Sequence, residues 1–362
     1  MIRSRAIRAS SPPSSRCRPR RCGPPAPRRR SAATASRCCA RRGSATRRSK
    51  RSGPAARWAR AHDGPARRKG TSMKVGLRVP MFGWRATPEH IEAHARAAEA
   101  HGFDSLWVSD HVVMPRRHSS EHRAPFKVDE AFLEPLTTMA FLAAITERVE
   151  LGVSVLVVPM RQPVLHAKIL ASIDHLAGGR VILGAGVGWA REEFEVLSMP
   201  WDRRGRRTEE MLQLYRAFWT GEPVEFEGEF HQVDGWISRP VPPRRLPIWT
   251  GGNSPQQFRR AARWGDGWIS RGAEAPLLRK HIAMLHEAAE AEGRDPAELT
   301  VAIHSHVVIT ADGMEQAAEG LAALREVGVQ HALTTVDLRE TDRVPELIER
   351  FARDHLEDLQ CD

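Results

Sequence analysis

The chain has 362 residues, of which 41% are hydrophobic and 27% charged, a globular balance that calls for one large domain or two smaller ones. Its formal charge of +11 is uneven, because residues 1–72 hold 22 Lys and Arg against a single acid, Asp63, leaving residues 73–362 with 33 bases and 43 acids, a net of −10. That acidic body excludes a basic nucleic-acid-binding domain, and the placement of cysteines at Cys17, Cys22, Cys38, Cys39 and Cys361 excludes a disulfide framework or zinc spacing within it.

Residues 1–72 are mostly Arg, Ser, Ala and Pro. So little apolar surface does not offset the entropy of ordering, and the segment is expected to be disordered. Its Arg-rich, acid-poor composition is also that of an organelle transit peptide. The break at Thr71-Ser72-Met73-Lys74, where a second methionine opens a strand pattern, instead sets Met73 as the expected native start and residues 73–362 as the folded domain.

From Met73 onward short β-branched runs alternate with amphipathic stretches, the pattern of βα units around a parallel sheet. Strands are predicted over 75–79, 105–109, 150–155, 181–185, 247–250, 267–270, 300–308 and 331–336. Helices are predicted over 88–101, 134–146, 163–176, 205–220, 255–264, 276–292, 314–327 and 345–357. Eight strands each followed by a helix predict an α/β fold of (β/α)8 TIM-barrel type, with the period-two run in 221–243 as a β-hairpin inserted between the fourth helix and fifth strand. The longest apolar run, 151–160, is about half the ~20 residues a membrane span needs. A cytoplasmic protein with a small-molecule partner is expected, without nucleic acid or membrane.

Barrel sites form at the C-terminal ends of strands, so chemistry is sought there. Asp110 and His111 follow the second strand; an imidazole beside a carboxylate can orient or protonate a ligand, or the two can simply cap the strand. Gly184, Gly186 and Gly188 alternate at the end of the fourth strand, which suits either close approach of a flat ring or phosphate, or tight packing at a barrel corner. Thr250, Gly251, Gly252 and Asn253 lead to Ser254 and Pro255, where unpaired N–H groups at a helix start can hold an anion or form a plain βα turn. His304 and His306 share a strand face without a nearby acid and read as barrel lining, so no metal is expected.

Taken together, Met73-Lys74-Val75-Gly76-Leu77, Gly102-Phe103-Asp104-Ser105-Leu106-Trp107 running to Asp110-His111, Arg180-Val181-Ile182-Leu183-Gly184-Ala185-Gly186-Val187-Gly188-Trp189 and Gly205-Arg206-Arg207 carry a resemblance over most of 73–362. The chain resembles the luciferase-like monooxygenase family, and within it the oxidoreductases dependent on the deazaflavin coenzyme F420. The resemblance implies a barrel, usually a homodimer, with a flavin or deazaflavin at its mouth and hydride transfer to a small organic substrate. It places His111 as acid or base with Asp110, Ser154 and Val155 at a third-strand bulge behind the ring, often through a cis peptide, and Gly251, Gly252 and Asn253 on the phosphate. Relatives that oxidise a sugar phosphate carry a glutamate where Trp189 stands, so Trp189 implies an apolar or aromatic substrate wall. The alternatives are an FMN-dependent monooxygenase of the same family and a non-catalytic flavin-binding relative.

Overall fold

The computed structural model describes residues 72–113 and 130–361; the expected disordered segment, apart from Ser72, lies outside the described residues. In chain order the strands are β1 (Lys74–Arg78), β2 (Ser105–Val108), β3 (Glu150–Val157), β4 (Val181–Gly186), β5 (Val224–Glu227), β6 (Gln232–Trp236), β7 (Ile248–Gly251), β8 (Gly267–Arg271), β9 (Thr300–Ile309) and β10 (His331–Val336). All but β5 and β6 pair in parallel and close a barrel in the order β1-β10-β9-β8-β7-β4-β3-β2. β5 and β6 form a separate antiparallel pair.

The helices are α1 (Pro88–Ala100), α2 (Pro135–Ile145), α3 (Pro163–Leu176), α4 (Arg191–Val196), α5 (Arg204–Phe218), α6 (Pro255–Trp264), α7 (Ala275–Ala291), α8 (Met314–Glu326), α9 (Val344–Phe351) and α10 (Glu357–Gln360). Proline opens many of them. Pro88, Pro135, Pro163, Pro255, Pro276 and Pro345 sit in the first two helical positions, where a missing N–H costs nothing and the fixed φ suits the helix. Side-chain oxygens of Thr87, Glu134 and Gln162 then accept from backbone N–H groups of the first turns of α1, α2 and α3. The predicted helix over 345–357 is divided by a π-type turn at Ala352–Leu356. Among the described residues no helix is long and apolar enough to cross a membrane.

Parallel strands bury both faces. Their outer faces pack on the helices, with Leu77, Leu106, Leu151 and Leu183 fully enclosed. The inner faces fill the lumen with Trp107, Ile182, Trp249, Ile269, Ala302 and Leu333. Trp107 stacks on Trp249 at 5.5 Å, and His331 meets both rings edge-on. Indole Nε1 of Trp107 donates to Ser105 Oγ at 2.7 Å, and the same hydroxyl shares a hydrogen bond with His331 Nε2, also at 2.7 Å. Burial, with Lys74 nearby, pushes His331 down to about 3, so the imidazole is held neutral. Room for Trp107 comes from Gly152, where a Cβ would lie 2.3 Å from its ring. The lower lumen is therefore a solid plug, and only the C-terminal mouth is left for a ligand.

Candidate active site at the barrel mouth

β2 delivers Asp110 and His111 to the mouth, where their side chains join different networks. Asp110, with no exposed side-chain surface, takes Arg161 Nη1 at 2.6 Å and Nη2 at 2.8 Å and the Val157 N–H at 2.7 Å. Arg161 in turn reaches Glu134 Oε1 at 3.1 Å. The pairing of Asp110 with His111 that the resemblance implies is thus corrected: its carboxylate pins the end of β3 to the end of β2. The carboxylate on His111 comes instead from Glu193 of α4, whose Oε2 is 2.9 Å from His111 Nδ1 and whose Oε1 accepts the Val112 N–H at 3.0 Å. Both side chains are nearly inaccessible, at 8% and 2% exposure. Trp189 and Phe132 meet the imidazole edge-on at 5.5 Å and 5.9 Å, so the pair is walled by rings.

At β3 the register with β4 shifts between Val153 and Leu156, and the Ser154–Val155 peptide within this bulge is cis. The bulge directs Val155 over the ends of β4 and β7. A Cβ at Gly186 would lie 2.4 Å from Val155 Cγ2, and one at Gly251 2.6 Å from Val155 Cγ1. Gly184 and Gly188 answer β3 in the same way, with would-be contacts of 2.0 Å to the Val153 carbonyl oxygen and 2.7 Å to Val157 Cγ1. Of the two readings of the alternating glycines, tight packing is the one the geometry supports, because the space above them is filled by β3.

The β7–α6 loop splits the remaining expectations. Thr250 lies between Trp249, in the lumen, and Gly251, under Val155, so alternation points it outward into the helix layer, where it is fully buried. It does not reach the mouth. Gly252 has φ of +114°, a conformation that a side chain strains, and its carbonyl accepts Trp268 Nε1 at 2.7 Å. Asn253 Oδ1 accepts the Arg271 N–H at 3.3 Å, which ties the loop to β8. Ser254 occupies the cap position of α6 with extended dihedrals and makes no side-chain cap bond.

Against this geometry stand known proteins. The model of the luciferase-like monooxygenase family matches residues 61–358. The chain belongs to that family. An uncharacterised protein of Mycobacterium tuberculosis (strain ATCC 25618 / H37Rv) is 34% identical over 244 residues, which is 65% of this chain and 81% of that one. An F420-dependent glucose-6-phosphate dehydrogenase of Nakamurella multipartita is 34% identical over 242 residues, 64% of this chain and 68% of the relative. Among solved structures, an F420-dependent secondary alcohol dehydrogenase in complex with an F420-acetone adduct superposes with a TM-score of 0.65 at 19% identity, covering 77% of this chain and 98% of that one; this likeness shows the shared fold.

In this luciferase-like barrel, sequence reasoning sought chemistry at strand ends, where His111 and Gly252 lie, and the resemblance implied the β3 bulge, but Glu193 and Arg161 were missed. Glu193 rides on a six-residue helix, too short to show a period; the signal was Glu192-Glu193, acids at a helix N-terminus.

Proposed function

We propose that this chain is an F420-dependent oxidoreductase that transfers a hydride between the deazaflavin and a small organic substrate, working as a cytoplasmic homodimer. The observation that carries the chemistry is the enclosed His111–Glu193 pair at the mouth, next to the Ser154–Val155 bulge. The identity of the cofactor is supported by relatives whose names give F420 dependence at 34% identity.

The residues present suit a flat, phosphorylated cofactor. Val155 offers an apolar surface held rigid between Gly186 and Gly251, and Ser154 adds a hydroxyl beside it. The positive φ of Gly252 opens the turn into α6, whose uncapped start would hold a phosphate. When bound, the deazaflavin supplies the hydride-carrying ring. Glu193 accepts from His111 Nδ1–H, which fixes the tautomer and places the lone pair on Nε2, the atom that exchanges a proton with the substrate oxygen. Trp189 and Phe132 exclude water from that exchange.

His111→Ala is expected to lower turnover by about 10²–10⁴-fold with cofactor affinity nearly unchanged. Glu193→Gln, which offers an amide N–H to Nδ1 and so favours the opposite tautomer, should lower turnover in the same direction and shift its pH profile. Full turnover in both variants, or a loss confined to cofactor affinity, would demote the pair to a binding role.

A further inference from the structure

Above the tryptophan plug the lumen becomes polar and cationic. On β1, Gly76 faces Ser105 and Trp107, so Arg78, two residues on, faces the lumen one level higher. On β8 the same alternation carries from Ile269, a lumen residue, to Arg271 at the rim, in register with His304 of β9. Ser154 Oγ lies 3.4 Å from His304 Nδ1; β3 and β9 stand on opposite sides of the barrel, so this contact spans the lumen and floors the mouth. Burial foremost, then the charges of Arg78, His306 and Arg271, hold His304 down to about 3, which puts both guanidiniums within electrostatic reach of one imidazole.

Among the described residues the balancing charge is missing. Asp110 is taken by Arg161, Glu193 by His111 and Asp337 by Arg339. Neither Arg78 nor Arg271 has a carboxylate partner among the described residues, and Arg78 Nε is enclosed without a hydrogen-bond acceptor. A guanidinium keeps its proton at neutral pH, and a partly buried one without a counter-charge is costly unless a ligand supplies it.

We propose that Arg78, with Arg271 at the rim, forms an oxyanion subsite that receives the carboxylate or phosphate group of the substrate and makes this barrel selective for anionic substrates. Two parallel N–H donors of a guanidinium match such a group. The substrate would present a flat or apolar part to Trp189 and its anionic group to Arg78 and Arg271. The proposal rests on the deazaflavin reading only for what fills the rest of the mouth.

The test is calorimetry on the full chain with inorganic phosphate and with benzoate, at constant ionic strength set by chloride. The wild-type protein should bind at least one of them over chloride. Arg78→Met should weaken that binding by about tenfold or more, and Arg78→Lys should retain part of it. F420 affinity should be the same in all three proteins. With F420 already seated, anion binding should persist, which assigns the subsite to the substrate. The thermal midpoint of Arg78→Met should be unchanged or raised, since an unpaired charge is removed. Equal anion binding in Arg78→Met, no binding beyond chloride, a lowered midpoint, or loss of anion binding once F420 is seated would each overturn the proposal; the last would give the subsite to the cofactor's own phosphate. Arg78-dependent anion binding in a protein that fails to bind F420 would support the subsite while sinking the cofactor reading.

Discussion

Asp110 and His111 are adjacent in sequence yet answer to residues far apart in the chain, Arg161 in one case and Glu193 in the other. Consecutive side chains leaving a strand diverge, so adjacency says which residue types reach the mouth but not which partners they meet. Asp110→Ala would leave Arg161 without its bidentate partner in a site only 13% exposed. We expect a stability loss of about 3–5 kcal/mol, as for other broken buried pairs, read as a fall in the denaturation midpoint. A catalytic Asp110 would give the reverse pattern, an unchanged midpoint with lost turnover. Thr250 carries the same lesson: its neighbour Gly251 lines the lumen and Thr250 does not.

At the scale of elements, strand positions were legible because β-branched runs bounded by glycine and proline mark them, and β10 and α3 coincide with their predicted spans. What periodicity does not encode is the β3 bulge, which extends that strand to Val157 and turns the β4 glycines into a packing surface. α4 escaped for its length, and with it the carboxylate of the site. The glycine register gives a direct check. Gly186→Ala would set a Cβ 2.4 Å from Val155 Cγ2, and overpacking of this kind costs about 1–3 kcal/mol. Combining it with Val155→Ala should recover part of that loss, because the two sites are in contact. Additive losses in the double variant would show that Gly186 does not answer to Val155.

At the scale of the whole molecule, imidazoles buried in neutral form set the response to acid. Burial, as the foremost cause, holds His94 down to about 4 and His304 and His331 down to about 3, and keeps His166 well below its ordinary value. Their folded values lie below the unfolded value of 6.5, so the unfolded chain takes up protons first. The stability they contribute is complete above that value and is lost as pH falls towards the folded ones, each group adding up to about 1.4 kcal/mol per pH unit. Denaturation midpoints should therefore drop steeply from pH 6.5 downward, and His331→Asn, which keeps a hydrogen-bonding side chain beside Ser105, should make the drop shallower. An identical slope in that variant would contradict the buried neutral state of His331.

The claim on which the functional reading turns is that the mouth of this luciferase-like barrel holds a deazaflavin. Titrating the full chain in parallel with F420 and with FMN, and following the absorbance and fluorescence of each cofactor, tests it directly. The account predicts saturable micromolar or tighter binding of F420 and much weaker binding of FMN. Tight FMN binding with no measurable F420 binding would contradict it and make the protein a flavin-dependent monooxygenase of the same fold.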